Sequence, residues 1–164
     1  MTERIERGCF ITFEGGEGVG KTSQIGHLCA HLQSRGIEVV RTREPGGTPA
    51  GEEIRALLVS GRIDRWQPMT EALLNYAARA EHVAHVIEPA LSRGLWVVSD
   101  RFSDSTMAYQ GFCQGVGADR IESLHETVLG DFAPDLTLVM NLPVDKSLAR
   151  AIKRNEGTED RYER

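Results

Sequence analysis

Between Gly15 and Thr22 the sequence reads GGEGVGKT: two glycines separated by four residues, then a lysine and a hydroxyl. That spacing, Gly15-x-x-x-x-Gly20-Lys21-Thr22, is the pattern of a loop that cradles nucleotide phosphates. Without side chains in the way, the backbone N–H groups can turn inward around phosphate oxygens. The N-terminus of the helix that follows adds partial positive charge. The expected nucleotide-binding set is Gly15, Gly16, Glu17, Gly18, Val19, Gly20, Lys21, Thr22 and Ser23. Within it Lys21 can reach the β and γ phosphates, and the Thr22 hydroxyl can ligate Mg²⁺. A second metal contact is expected at the end of a neighbouring strand. Asp100, directly after the apolar run LWVVS, fits that place, as a carboxylate holding Mg²⁺ directly or through water. The plainer alternative for Asp100 is a helix cap.

Such a cradle needs a strand before it and a helix after it. Cys9 to Phe13 is a short apolar run, and Lys21 to Ser34 places Ile25, Leu28, Cys29 and Leu32 at helical spacing, with Gly36 closing it. Further strands are expected over Ile37 to Thr42, over Leu95 to Ser99 and within Asp135 to Leu142. Helices are expected over Glu52 to Val59, Met69 to Leu91 with a kink or stop at Pro89, Ser103 to Phe112, Asp119 to Leu129, and Val144 to Arg154. Asp119 with Glu122 reads as a capping-box-like start. The alternation predicts an α/β fold: a parallel sheet covered on both faces, with ligands at the strands' carboxyl ends.

The 164 residues suit one domain. Apolar residues make up 40% and charged residues 26%, the balance of a soluble globular protein. No run approaches the roughly 18 apolar residues of a membrane span, and Met1 to Gly8 lacks the apolar region of a signal peptide. The net charge of −5 argues against general nucleic-acid binding. Cys9, Cys29 and Cys113 match no zinc spacing and read as free thiols in a reducing cytoplasm.

A cradle of this kind opens hydrolytic switches, motors and small kinases alike. A guanine-reading Asn-Lys-x-Asp is missing, because no Asn is followed by Lys, and no Asp has Gly three residues later. Arginines at loop and strand ends remain. They favour phosphoryl transfer between two anionic nucleotides, where neutralising charge is the main task. A kinase for another nucleoside monophosphate and a nucleotide-binding module without turnover are the rival readings.

Five blocks, FEGGEGVGKT, TREPGGTPAGEEIR, YAARAEH, DRFSDSTMAYQG and VLGDFAPDLTLVMNL, stand in this order. Together they resemble the bacterial thymidylate kinase family over nearly the whole chain. The resemblance implies a P-loop kinase fold, a three-layer α/β sandwich, in one domain over residues 1–164. It implies transfer from ATP to dTMP with Mg²⁺, giving dTDP, by a cytoplasmic homodimer. It implies a mobile lid beginning near residue 150, with the family's usual C-terminal strand and helices absent from these residues.

The resemblance also assigns roles. Arg101 and Arg55 hold the acceptor phosphate, and Arg101 bridges to the transferred group. Arg79 bonds a thymine carbonyl, and Ser105, Thr106 and Gln110 line base and sugar. Tyr109 packs under the deoxyribose, where it crowds a 2′-hydroxyl. Glu17 reaches the sugar 3′-hydroxyl. Pro45, after a Glu44–Pro45 bond that the family can hold cis, packs near the monophosphate. Where the family often has an aromatic four residues before Arg79, this chain has Asn75 followed by Tyr76. Tyr76 is taken as substrate-binding, with the choice between the two left open. From their sequence setting alone, Arg79 could be a solvated helix residue, Arg55 a partner of Glu52, and His82 and His85 ordinary helix positions. Some relatives carry a catalytic Arg inside the cradle where Gly18 stands. The resemblance then implies an arginine from the lid RAIKRNEGTEDRYER, with Arg154 and Arg161 the candidates and Lys21 and Arg101 the other catalytic cations. No general base is needed, because a phosphate monoester is already anionic at neutral pH.

Overall fold

The computed structural model describes residues 6–62 and 64–154. Strand β1 (Phe10–Glu14) leads through the glycine loop into helix α1 (Lys21–Ser34). Strand β2 (Val39–Arg43) is followed by α2 (Pro49–Val59) and α3 (Pro68–His82). Helix α3 runs through a widened π turn (Val83–Ile87) into α4 (Glu88–Ser92). Then come β3 (Trp96–Asp100), α5 (Ser103–Thr106) continued by a π-helical segment (Met107–Cys113), α6 (Ala118–Leu129), β4 (Leu136–Val139) and α7 (Val144–Arg154).

All strand pairs are parallel, in the order β2-β3-β1-β4. Side-chain alternation along the strands divides the core between two faces. Phe10 and Val97 pack on Val83, Ile87, Ala90 and Leu91. Ile11, Phe13 and Val98 pack on Ile25, Cys29 and Leu32 of α1. Helices therefore cover both faces, giving the three layers expected. A third cluster, Ala72, Tyr76, Val116 and Ile121, joins α3 to α6.

Several boundaries differ from the expected ones for local reasons. Helix α2 begins at Pro49 rather than Glu52, because the Thr48 hydroxyl accepts the Gly51 N–H at 2.9 Å and Pro49 fits the first helical position. The cap of α6 is Gly117 rather than Asp119, which lies inside the first turn without a capping bond. Pro89 neither ends nor sharply breaks its helix. It offers no N–H, and its ring would crowd the carbonyl four residues back. The π turn just before it accommodates both effects, with the Glu88 N–H reaching back to the Val83 carbonyl.

Candidate active site

Strand β1 delivers the chain to the cradle at the carboxyl edge of the sheet. Gly15 has φ of 135°, and a Cβ there would run into the Met140 carbonyl oxygen, so the turn off β1 requires glycine. Gly20, in the left-handed region, precedes α1, and no side chain caps the helix. The N–H groups of Lys21 and Thr22 are thus not taken by a capping side chain. Lys21 folds over that loop, donating to the carbonyls of Gly15 and Gly16 at 3.0 and 3.1 Å. Burial pulls the Lys21 ammonium below its ordinary pKa, and Arg101 adds to this while Asp100, Glu17 and Glu14 oppose it.

The register Phe13↔Asp100 between β1 and β3 brings the end of β3 beside the cradle. Asp100 is the last residue of β3. Its carboxylate accepts from Thr22 Oγ1 at 3.4 Å and lies 4.0 Å from Lys21 Nζ. A hydroxyl and a carboxylate in contact suit Mg²⁺, a hard ion that takes one or two protein oxygens and completes its shell with phosphate and water. Among the described residues no group of three or more His, Cys, Asp or Glu could form an all-protein metal cage.

Arg101 follows with φ of 74°, the one non-glycine residue at positive φ among those described. Such strain persists where the surroundings fix it. Here the Arg101 N–H donates to the Phe13 carbonyl, and its own carbonyl accepts from Ser99 Oγ. Its guanidinium donates to Glu17 at 2.8 Å and to Ser105 Oγ at 3.0 Å and lies over the Tyr109 ring. Ser105 in turn donates to Glu14, which also accepts the Phe102 N–H. Burial raises the Glu14 carboxyl above the usual carboxylate range despite those bonds and Arg101.

Arg79 is 2% exposed, so it is not a solvated helix residue. Its Nε donates to Glu44 at 2.7 Å, and Nη2 donates to the Phe102 carbonyl and to Thr106 Oγ1. The rings of Tyr76 and Phe102 hold the guanidinium from 4.5 and 5.1 Å. Its Nη1 is buried without a partner among the described residues. Glu44 is held on its other oxygen by His82 Nδ1 at 2.9 Å, and His82 Nε2 meets Thr42 Oγ1 at 2.6 Å. A Cβ on Gly47 would lie 2.6 Å from the His82 ring. His82 is thus no ordinary helix position: it ties α3 to the loop after β2. His85 is exposed and pairs with Glu81, one turn back on the same helix. The Glu44–Pro45 bond is cis. Arg55 donates to the Pro45 carbonyl at 3.0 Å. The alternative partner Glu52 makes no direct bond to Arg55: it takes Arg43 and the Gly47 N–H, and Arg55 acts on it only through longer-range charge.

Two cavities result. One, a cavity of about 110 Å³, is lined by Asn75, Arg79, Ser105, Thr106, Tyr109 and Gln110, with Pro45, Phe102 and Val59 closing it. The other is a cleft along Gly18, Gly20, Lys21, Thr22, Ser23 and Asp100. Glu17, Glu44, Arg55 and Arg101 line both. Tyr76 corrects an expectation: it is 1% exposed, bonded to His125, and beneath Arg79 rather than in the cavity. The neighbouring Asn75, rotated about 100° around the helix, lines the cavity instead. Of the lid arginines, Arg161 lies outside the described residues, and for Arg154 only the backbone at the end of α7 is described. Arg150, passed over as a candidate, lines the cradle cleft. Glu14, Glu44 and His82, which hold Ser105, Arg79 and each other in place, carry no local sequence signal because their partners lie far away in sequence.

Comparison with known proteins gives a consistent result. The sequence model of the family described as thymidylate kinase matches residues 13–164. The chain is 52% identical over 159 residues to the thymidylate kinase of Alkalilimnicola ehrlichii, covering 97% of this chain and 73% of that one. It is 54% identical over 156 residues to the thymidylate kinase of Pseudomonas fluorescens strain SBW25, covering 95% and 73%. The crystal structure of thymidylate kinase from Ehrlichia chaffeensis superposes with a TM-score of 0.77 at 37% identity, over 91% of this chain and 83% of that one.

Proposed function

This chain belongs to the thymidylate kinase family, and we propose that it transfers the γ-phosphoryl group of ATP to dTMP, giving dTDP and ADP. The observation that carries the reading is the pair of cavities sharing a wall of Glu17, Glu44, Arg55 and Arg101. A phosphate cradle on one side and a pocket lined by Arg79, Ser105, Thr106 and Gln110 on the other suit two anions brought end to end.

In this reading the cradle, Gly15 to Ser23, holds the ATP phosphates and Lys21 screens the transferring group. Thr22 and Asp100 hold Mg²⁺, which when bound neutralises charge on the phosphate oxygens. The acceptor oxygen is already anionic, so the protein's task is to position and screen rather than to remove a proton. Arg55 and Arg101 hold the acceptor phosphate. Arg79 offers its free Nη1 to the thymine carbonyl. Asn75, Ser105, Thr106 and Gln110 surround base and sugar, Tyr109 lies under the deoxyribose, Pro45 borders the monophosphate, and Glu17 takes the 3′-hydroxyl. The cation missing at Gly18 is supplied by α7 or the segment after it, from Arg150, Arg154 or Arg161. We include a homodimer in the cytoplasm in this reading. No helix among the described residues is long and apolar enough to cross a membrane.

A coupled assay of ADP release with dTMP, dUMP, dCMP and AMP tests the reading. The expected result is dTMP as preferred acceptor. Preference for AMP or dCMP would replace it with another nucleotide kinase, and ATP binding without turnover would leave a binding module.

A further inference from the structure

Two side chains that line the base-side cavity, Arg79 and Gln110, each carry a hydrogen-bonding group without a partner among the described residues, and the two groups are of opposite polarity. Arg79 contributes Nη1, a buried donor without a partner among the described residues. Gln110, 3% exposed and lining the same cavity, contributes an amide oxygen. The Gln110 amide nitrogen donates to Glu71 Oε1 at 2.8 Å, and Gln114 Nε2 donates to that same oxygen at 3.2 Å. An oxygen accepting two N–H bonds repels a third acceptor, so the Gln110 amide cannot turn its oxygen that way. It is held with nitrogen toward Glu71 and oxygen away, and among the described residues nothing bonds that oxygen. Glu71 is 1% exposed and sits in the first turn of α3. The orientation is therefore imposed from a buried, fixed position.

Building on the dTMP kinase reading, we propose that Glu71 is a specificity-positioning residue. By accepting from Gln110 Nε2 it turns the Gln110 carbonyl toward the substrate, so that the cavity presents Arg79 Nη1 as donor beside Gln110 Oε1 as acceptor. Thymine and uracil offer the matching edge, a carbonyl acceptor at C4 beside an N–H donor at N3. Cytosine offers an amino donor and a lone pair at those positions and mismatches both. Glu71 does not line the cavity; it acts through Gln110. A site whose buried polar groups go unpaired with the wrong ligand can reject it by about 10⁴-fold or more.

The test is Glu71→Gln, assayed for kcat and KM with dTMP and with dCMP. A glutamine at 71 can donate or accept, so the Gln110 amide is free to flip and offer N–H to the cytosine lone pair. The kcat/KM ratio of dTMP over dCMP is expected to fall on the order of tenfold or more, mainly through KM. The double variant Glu71→Gln, Gln110→Glu keeps an acceptor toward the base with a donor behind it, and it should restore the preference for dTMP. A ratio within twofold of the parent in Glu71→Gln, or no recovery in the double variant, overturns the proposal. Should Glu71→Gln fail to fold, Gln110→Leu decides: a retained ratio overturns the proposal, and a lost one supports it. If the parent itself does not prefer dTMP over dCMP, the dTMP kinase reading fails and takes the proposal with it. If the parent discriminates and Glu71→Gln does too, only the proposal fails.

Discussion

At the scale of single residues, Lys21 is the clearest case. It is buried, its pKa is lowered first by that burial, and it bonds two carbonyls of the loop it must serve. Removing it leaves those carbonyls facing an open cleft rather than a sealed core, so the fold should survive. Lys21→Ala is expected to lower kcat on the order of 10²-fold or more, as for loss of a group that screens charge in the transition state. Steady-state ADP release alongside a melting curve checks this, and turnover within tenfold of the parent would remove Lys21 from its role. For Arg79 the better variant is Arg79→Lys. It keeps a cation beside the buried Glu44, whose loss would leave an uncompensated charge, while removing the planar fork that reaches Phe102, Thr106 and the cavity. The expected result is a KM for dTMP raised on the order of tenfold with a smaller change in kcat, read by initial rates at varied dTMP. An unchanged KM would place base reading elsewhere. Lys21 and Thr22 are marked by the cradle spacing, Asp100 by the strand end before it, and Arg55 and Arg101 only by the blocks that resemble the family; all five line one or both cavities. Glu44, Glu71 and His82 could not be picked out from sequence, because nothing local marks a carboxylate whose partner lies on another element. Tyr76 was misplaced for a different reason: one residue along a helix is a 100° turn, enough to exchange cavity for core.

At the scale of elements, the helical spacing of Ile25, Leu28, Cys29 and Leu32 marks α1, whose observed bounds match the expected ones because apolar spacing reports the buried face directly; α7 begins at Val144 as expected. The π turn before Pro89 left no periodic trace, because one extra residue only shifts the phase of a pattern already ambiguous near its end. Strand edges moved by a residue or two because pairing, not composition, ends a strand. One such pairing yields a prediction. Asp135 precedes β4 and accepts the Phe10 N–H at 2.7 Å, while its own N–H donates to the Phe10 carbonyl, clamping β4 to β1. Burial alone would raise its carboxyl. The Phe10 N–H and Arg7 outweigh that and hold its pKa below the usual Asp value. A depressed folded pKa means that the carboxylate stabilises the fold above its unfolded pKa, and that this is lost as pH falls through the folded value. Asp135→Ala should therefore cost about 1 kcal/mol at neutral pH, chiefly the backbone bond, with little from the half-exposed Arg7 pair. Urea unfolding of parent and variant should show the gap closing as pH drops below the ordinary Asp range. A gap that widens in acid would mean that Asp135 acts otherwise.

At the scale of the whole molecule, the alternation of elements told of a parallel sheet but not of its order, because which strands become neighbours depends on contacts across most of the chain. The order β2-β3-β1-β4 matters to function: placing β3 against β1 sets Asp100 and Arg101 beside the cradle. It also gathers charge. The chain carries −5 overall, yet the cradle cleft is lined by Lys21, Arg43, Arg55, Arg101 and Arg150 against Glu17, Glu44 and Asp100. A nucleotide thus meets a repelling molecule at long range and an attracting cleft at short range. Salt separates the two. Raising ionic strength from about 0.1 M to 1 M shortens the screening length from about 10 Å to 3 Å. Both contributions shrink, but the bound anion lies within a few ångströms of the cleft cations, where attraction outweighs repulsion. KM for dTMP and for ATP is therefore expected to rise several-fold with salt. The value of kcat should change less, because Lys21 and Arg101 are largely buried, and buried charges are screened much less by salt. Initial rates across a sodium chloride series decide the matter: a KM that falls with salt would mean that the net charge of the molecule, not the cleft, governs how its substrates bind.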